Sequence, residues 1–253
     1  MVDCNNKKVS IGLSGGINSG GVLCMLIESG VIPKELHLFY AHFKEHSDDT
    51  FQFVADLVRM ARKYFIPLGC KVIITITKNS ALDFFNEQKI IPHPRVSPCS
   101  QKLKIEPMAA YNFENGIQVD LVGYVKGETR RVNTNIKHTV PSLFIVKDFP
   151  ISKFTDEWCI EICERMVGWV PKIYKIVDPV TGKRIFKHNN CLPCKNMGVD
   201  DLENVERYFP EKMQKAVELS NKLKAYWGRD ADEFYLKFGR DDYHGSCSIC
   251  HFD

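Results

Sequence analysis

Apolar runs of strand character alternate with segments of helical spacing over residues 1–150, and this alternation predicts a doubly wound α/β fold. The sheet is expected to be mostly parallel and five-stranded, with a helical, cysteine-rich C-terminal subdomain over residues 151–253. Three observations carry this. The stretch VSIGLSGGINSGGVLCMLI (9–27) passes from an apolar run through a glycine turn into helical spacing. KVIITIT (71–77) is rich in β-branched residues, as a strand is. Beyond Pro150 the strand texture gives way to helical segments and two C-x-x-C pairs.

The elements follow in order. Val9 to Leu13 is the first strand, and the helix after the turn runs through Val22, Leu23, Met25, Leu26 and Ile27. Glu35 to Phe43 is a second strand, and Thr50 to Tyr64 is helical through Phe51, Val54, Leu57, Val58 and Ala61. Lys71 to Thr77 is a third strand, and Ser80 caps a short helix over Ala81 to Glu87. Pro92, Pro94 and Pro98 force a loop, and Lys102 to Asn112 is helical with Pro107 as a break. Ile117 to Tyr124 and Ser142 to Val146 supply the fourth and fifth strands. Thr155 caps a helix from Asp156 to about Val167, ended by Gly168 and Pro171, and Asp200 to Trp227 forms one or two more helices.

Composition narrows the function classes. At 44% hydrophobic and 26% charged residues the chain reads as a soluble globular protein with a full core. A net charge of +3 argues against a surface dedicated to coating nucleic acid. No apolar run reaches membrane-spanning length and MVDCNNKK has no signal-peptide pattern, so a cytoplasmic protein without a membrane partner is expected. Ten cysteines in such a chain are core residues, metal ligands or reactive thiols rather than disulfides.

The glycine turn is the first candidate site. Gly15 and Gly16 allow backbone conformations and close approaches closed to other residues. The helix that follows points its first N–H groups and its positive dipole end at the turn, and Ser14 and Ser19 add hydroxyls. A phosphate suits that environment. The spacing is that of neither a Walker loop nor a dinucleotide fingerprint. It resembles the SGGxDS loop of the PP-loop ATP pyrophosphatases, with Asn18 at the usual aspartate. Asparagine keeps an acceptor oxygen but gives up a charge that would help hold magnesium.

Three later segments extend the resemblance to the phosphoadenosine-phosphosulfate reductase-like family. HPRVSPCSQKLKIEPM (93–108) has a cysteine followed by two basic residues and Glu-Pro, namely Cys99, Lys102, Lys104, Glu106 and Pro107. GYVKGETRR (123–131) has Gly123, then Glu128, then Arg130 and Arg131. DFPISKFTDEW (148–158) is similar to the opening of that family's C-terminal region. The resemblance implies a sheet of PP-loop type and a site for ATP or an adenylyl nucleotide with Mg2+ at Ser14, Gly15, Gly16, Asn18, Ser19, Gly123 and Glu128. Lys102, Arg130 and Arg131 are the catalytic candidates, cations that phosphate oxygens require. Glu128 either pairs the arginines or binds magnesium, and His42 and His46 either contact the nucleotide or are polar surface.

Cys191-Leu-Pro-Cys194 and Cys247-Ser-Ile-Cys250 supply four thiolates, enough for a tetrahedral Zn2+ or a [4Fe-4S] cluster. A three-cysteine cluster of Cys99, Cys191 and Cys194 is the alternative, by likeness to related tRNA thiolation enzymes, and leaves Cys247 or Cys250 as a sulfur carrier. The other cysteines, Cys4, Cys24, Cys70, Cys159 and Cys163, read as small apolar residues. The implied function is adenylylation of an acceptor for sulfur transfer or nucleic-acid modification. Its expected partners are an adenine nucleotide, a nucleic-acid or small-molecule acceptor, a sulfur-donor protein and a second copy in a homo-oligomer. The alternatives are a thioredoxin-dependent (phospho)adenylyl-sulfate reductase using Cys250, and a nucleotide sensor in which Asn18 marks weakened catalysis.

Overall fold

The computed structural model describes residues 2–90, 98–137 and 145–228, with backbone only for 134–137. The chain divides into two compact units, one of residues 1–42, 48–77 and 105–172, the other of residues 43–47, 78–104 and 173–253. The sheet is built almost wholly from the first. Its strands β1 (Lys8–Leu13), β2 (Glu35–Phe43), β3 (Lys71–Asn79), β4 (Val119–Leu121) and β5 (Val146–Asp148) lie in the order β3-β2-β1-β4-β5. β1 pairs in parallel with both β2 and β4, and β4 in parallel with β5. A strand flanked on both sides is buried on both faces, which is why KVSIGL is nearly continuous in apolar residues. Val9, Ile11 and Leu13 are all buried.

Helices cover both faces. α1 (Ile17–Glu28) packs against α2 (Thr50–Phe65) and, most extensively, against α7 (Asp156–Val167). Gly20 and Gly21 permit that approach: a Cβ on Gly20 would stand 2.9 Å from the Cys163 sulfur, and one on Gly21 3.1 Å from the Cys159 sulfur. Covered by two helices and the sheet, α1 is apolar nearly all round. On the opposite face α5 (Glu106–Glu114) lies close to β1 and β2. Met108 meets Gly12, and the Tyr111 hydroxyl bonds His37 Nδ1 at 2.8 Å. His37 is buried and its Nε2 faces Glu35 at 3.1 Å. Within the same core Ser10 Oγ donates to Asp120 Oδ1 at 2.9 Å, and burial pushes the Asp120 carboxyl above its usual pKa.

The local signals act as expected at several ends. Ser80 Oγ accepts from the Asp83 N–H to cap α3 (Ala81–Gln88), and Thr155 Oγ1 accepts from the Trp158 N–H to cap α7. Gly168, with φ +95°, closes α7 in the left-handed region. Other bounds differ. β4 covers only 119–121 of the expected 117–124, and beyond it Gly123 approaches Asn18 and Ser19 of α1. β5 begins at Val146, where the expected strand ended, and residues 142–144 lie outside the described residues. The break expected at Pro107 is a π-type turn (Gln101–Ile105) before α5, with Pro107 in that helix's first turn.

In the second unit α8 (Val199–Tyr208) packs on α9 (Pro210–Trp227), and α9 packs on α3. Pro210 splits the expected helical stretch in two. A short helical turn, α4 (Pro98–Ser100), carries Cys99. Glu45 is buried, and its carboxylate accepts from the Ser80 hydroxyl and from the backbone N–H groups of Ala81 and Leu82, placing negative charge at the start of α3. Its own carbonyl accepts from the Leu192 N–H at 2.9 Å, which ties the C-L-P-C knuckle to this loop.

Candidate functional site

In an open parallel sheet a ligand crevice forms at the carboxyl ends of the strands where the strand order reverses. Here that reversal falls between β1 and β4. The corner after β1 and the turn after β4 therefore flank one edge position. A Cβ on Gly123 would lie 2.9 Å from the Asn18 carbonyl and 3.1 Å from the Ser19 nitrogen, so only glycine lets the β4 end come so close. Gly15 has φ +78°, and a Cβ there would stand 2.1 Å from Thr50 Cγ2. Both glycines are required by geometry.

The two serines tie the corner. Ser14 Oγ accepts from the Gly16 N–H at 3.2 Å, and Ser19 Oγ accepts from the Ser14 N–H at 3.1 Å and donates to the Gly16 carbonyl at 3.0 Å. The hydroxyls face one another at 3.2 Å. The N-cap of α1 is Gly16, which brings no side-chain cap to the first turn, and the positive end of the helix dipole points at the corner. Asn18 Oδ1 is buried with no hydrogen-bond partner among the described residues. A buried amide oxygen without a donor is costly unless a ligand, ion or water supplies one.

The expected arginines sit on α6 (Thr129–Lys137), beyond β4. Glu128 accepts from the Val125 N–H at 2.9 Å and forms an ion pair with Arg131. The Arg131 guanidinium also lies 4.2 Å over the Tyr124 ring, which is itself stacked on Phe149 at 5.4 Å. Glu128 is thus engaged with an arginine in the way the sequence allowed. Arg130 is exposed. Lys102 is an exposed residue of the second unit. His42 is half-buried with Nδ1 3.0 Å from the Tyr40 hydroxyl, and His46 is buried, not surface.

The second unit holds the cysteine site. Cys247 and Cys250 lie outside the described residues. Among the described residues no three His, Cys, Asp or Glu side chains converge tightly enough to hold a metal ion. Cys99, Cys191 and Cys194 are nevertheless near enough to feel one another's charge. Burial pushes all three thiols up, while Lys104 opposes it at each and Lys195 at Cys99 and Cys194. Lys195 is buried, with Nζ 2.9 Å from Asn196 Oδ1, and Lys104 Nζ stands 4.7 Å over the Phe43 ring. Three soft donors beside two cations are chemically suited to a thiolate-bound metal. The parts least legible in the sequence are Lys195 and Glu45; a lysine following the second cysteine of the knuckle was the available signal for the first.

The sheet order, the glycine corner at its switch point and the helices on both faces define an open, parallel, doubly wound α/β fold. No family model and no curated protein matches the chain. Among solved structures it is similar to the U34-tRNA thiolase NcsA from Methanococcus maripaludis with its [4Fe-4S] cluster, at 16% identity over 99% of this chain and 82% of that one, TM-score 0.46. It is also similar to the phosphoadenylyl-sulfate (PAPS) reductase from Candida auris in its phosphate complex, at 15% identity over 65% and 74%, TM-score 0.37. A third likeness is to the NMN synthetase from Francisella tularensis, at 13% identity over 83% and 87%, TM-score 0.40.

Proposed function

We propose that the chain is a PP-loop enzyme that binds ATP or an adenylyl nucleotide at the corner 14–19 and activates an acceptor by adenylylation, for sulfur transfer or nucleic-acid modification. The observation that carries this is the buried, unpartnered Asn18 Oδ1 beside an uncapped helix start at the switch point of the sheet. Backbone N–H groups and the hydroxyls of Ser14 and Ser19, which bond one another within the corner, would exchange those bonds for phosphate oxygens. Gly123 keeps the second wall close, and Arg130 and Arg131 are the cations on the element that follows. Glu128 holds Arg131 in one orientation. Magnesium would be held by the phosphates themselves, with Asn18 as a neutral oxygen ligand.

For the metal we keep two ligand sets. Cys191, Cys194, Cys247 and Cys250 would close a Zn2+ or [4Fe-4S] site. Cys99, Cys191 and Cys194 would form the alternative three-cysteine set, which leaves Cys247 or Cys250 for a sulfur-carrier role. When bound, a three-thiolate cluster supplies an open metal position for a sulfur ligand.

Pyrophosphate release tests the reading. The purified chain with ATP, Mg2+ and bulk RNA as acceptor should release pyrophosphate, and Ser19→Ala should reduce both release and ATP affinity. Saturable ATP binding with no release, converted to release by Asn18→Asp, would instead identify a sensor. Thioredoxin-dependent sulfite formation that is lost in Cys250→Ala would identify a reductase.

A further inference from the structure

α2 buries one stripe, through Thr50, Phe53, Val54, Leu57 and Ala61, and Phe51 is not on it. Phe51 is 49% exposed although it stands in the first turn of a well-packed helix. Its ring is still held: it meets the His42 ring edge-on at 5.5 Å and 77°, and the Tyr40 ring at 6.3 Å. Tyr40 is fully buried, and its hydroxyl fixes the His42 imidazole at 3.0 Å. The pair is therefore rigid on one side and open on the other.

Its position is set by the phosphate corner. Leu13, the last residue of β1, is in register with Tyr40. His42 lies two residues further along β2, roughly 7 Å beyond the point where the corner begins. Thr50 touches Gly15 so closely that no side chain fits between them, and Phe51 is the next residue. A ligand anchored in the corner by its anionic end and extending along the end of β2 would reach these rings. Flat heteroaromatic groups stack on exposed aromatic faces, and purines offer the larger face.

We propose that Phe51, oriented by His42, is the platform on which the base of a bound purine nucleotide stacks, and so a specificity-determining residue of this chain. The inference rests on the corner's anion-binding role proposed above. Calorimetric titration of the full chain with ATP, CTP and inorganic triphosphate tests it. ATP should bind more tightly than CTP. Phe51→Ala should weaken ATP by about tenfold, the scale of one base–aromatic stack, and leave triphosphate unchanged. Phe51→Trp should retain ATP affinity, with indole fluorescence quenched by ATP and not by triphosphate. Equal losses for ATP and triphosphate in Phe51→Ala, or no loss for either, would overturn the platform while the corner stands. A wild-type chain that binds neither would overturn the corner's role and the platform with it.

Discussion

The cysteines of the two units keep opposite company: those at the α1–α7 crossing are fully buried, while Cys99, Cys191 and Cys194 are half-buried. In the first, Cys24, Cys159 and Cys163 meet where α1 crosses α7, and the charges around them are acidic. Burial raises the Cys159 thiol from the usual 9.0 to about 12, and Asp156, Glu128 and Glu157 add to it. Cys163 is raised first by its contact with the Cys24 thiol and then by burial, and its Sγ lies 3.7 Å from the Ile17 carbonyl. In the second unit burial again raises Cys99, Cys191 and Cys194, but Lys104 and Lys195 pull the other way. The two sets thus differ in exposure as well as in the charges around them. The sign of its neighbours separates a thiol that fills space from one that can carry charge.

Removing thiols one set at a time gives the largest effect. Cys191→Ser and Cys194→Ser should each abolish metal incorporation after anaerobic purification, measured as bound metal per chain and by the visible spectrum, whereas Cys159→Ala should leave both unchanged. Metal lost equally in both sets would break the comparison. Next in size, Lys195→Met should lower metal affinity on the order of tenfold, the usual scale for a residue that supports ligands without touching the metal. Competition with a chelator reads that change, and Lys195→Arg should restore most of it.

The smallest effect is in pH dependence and concerns the first unit. A thiol raised on folding is still protonated in the native chain when its unfolded counterpart ionises. The stability it contributes is fully present below pH 9.0 and lost as pH climbs toward about 12. The thermal midpoint should therefore fall more steeply above pH 9 in the wild type than in Cys159→Ala. Parallel slopes would mean that folding does not raise the Cys159 thiol.

Much of the architecture was readable from local pattern. β2, α2 and α7 appear within one residue of where apolar spacing and capping residues placed them, because their own periodicity and end signals suffice. β4 and β5 were harder, since three-residue strands buried by their neighbours have too few positions to show a period. At the corner, the sequence announced Ser14 to Ser19 and Gly123 as residue types. It contained no sign that Thr50 would press on Gly15, or that Phe51 and His42 would stand beside them.

By itself the chain's order of residues determined the alternation of strand and helix, the glycine turn after the first strand, the capped ends of α3 and α7, and the residue types that suit phosphate and thiolate chemistry. Those are short-range properties, set by neighbours within a few positions along the backbone. Only the tertiary structure decided that β1 and β4 lie side by side, so that Gly123 closes on Asn18 and Ser19. It also decided that Asn18 Oδ1 is buried with no donor among the described residues. Such contacts join residues about a hundred positions apart, and the packing of the whole core, not any local preference, brings them together.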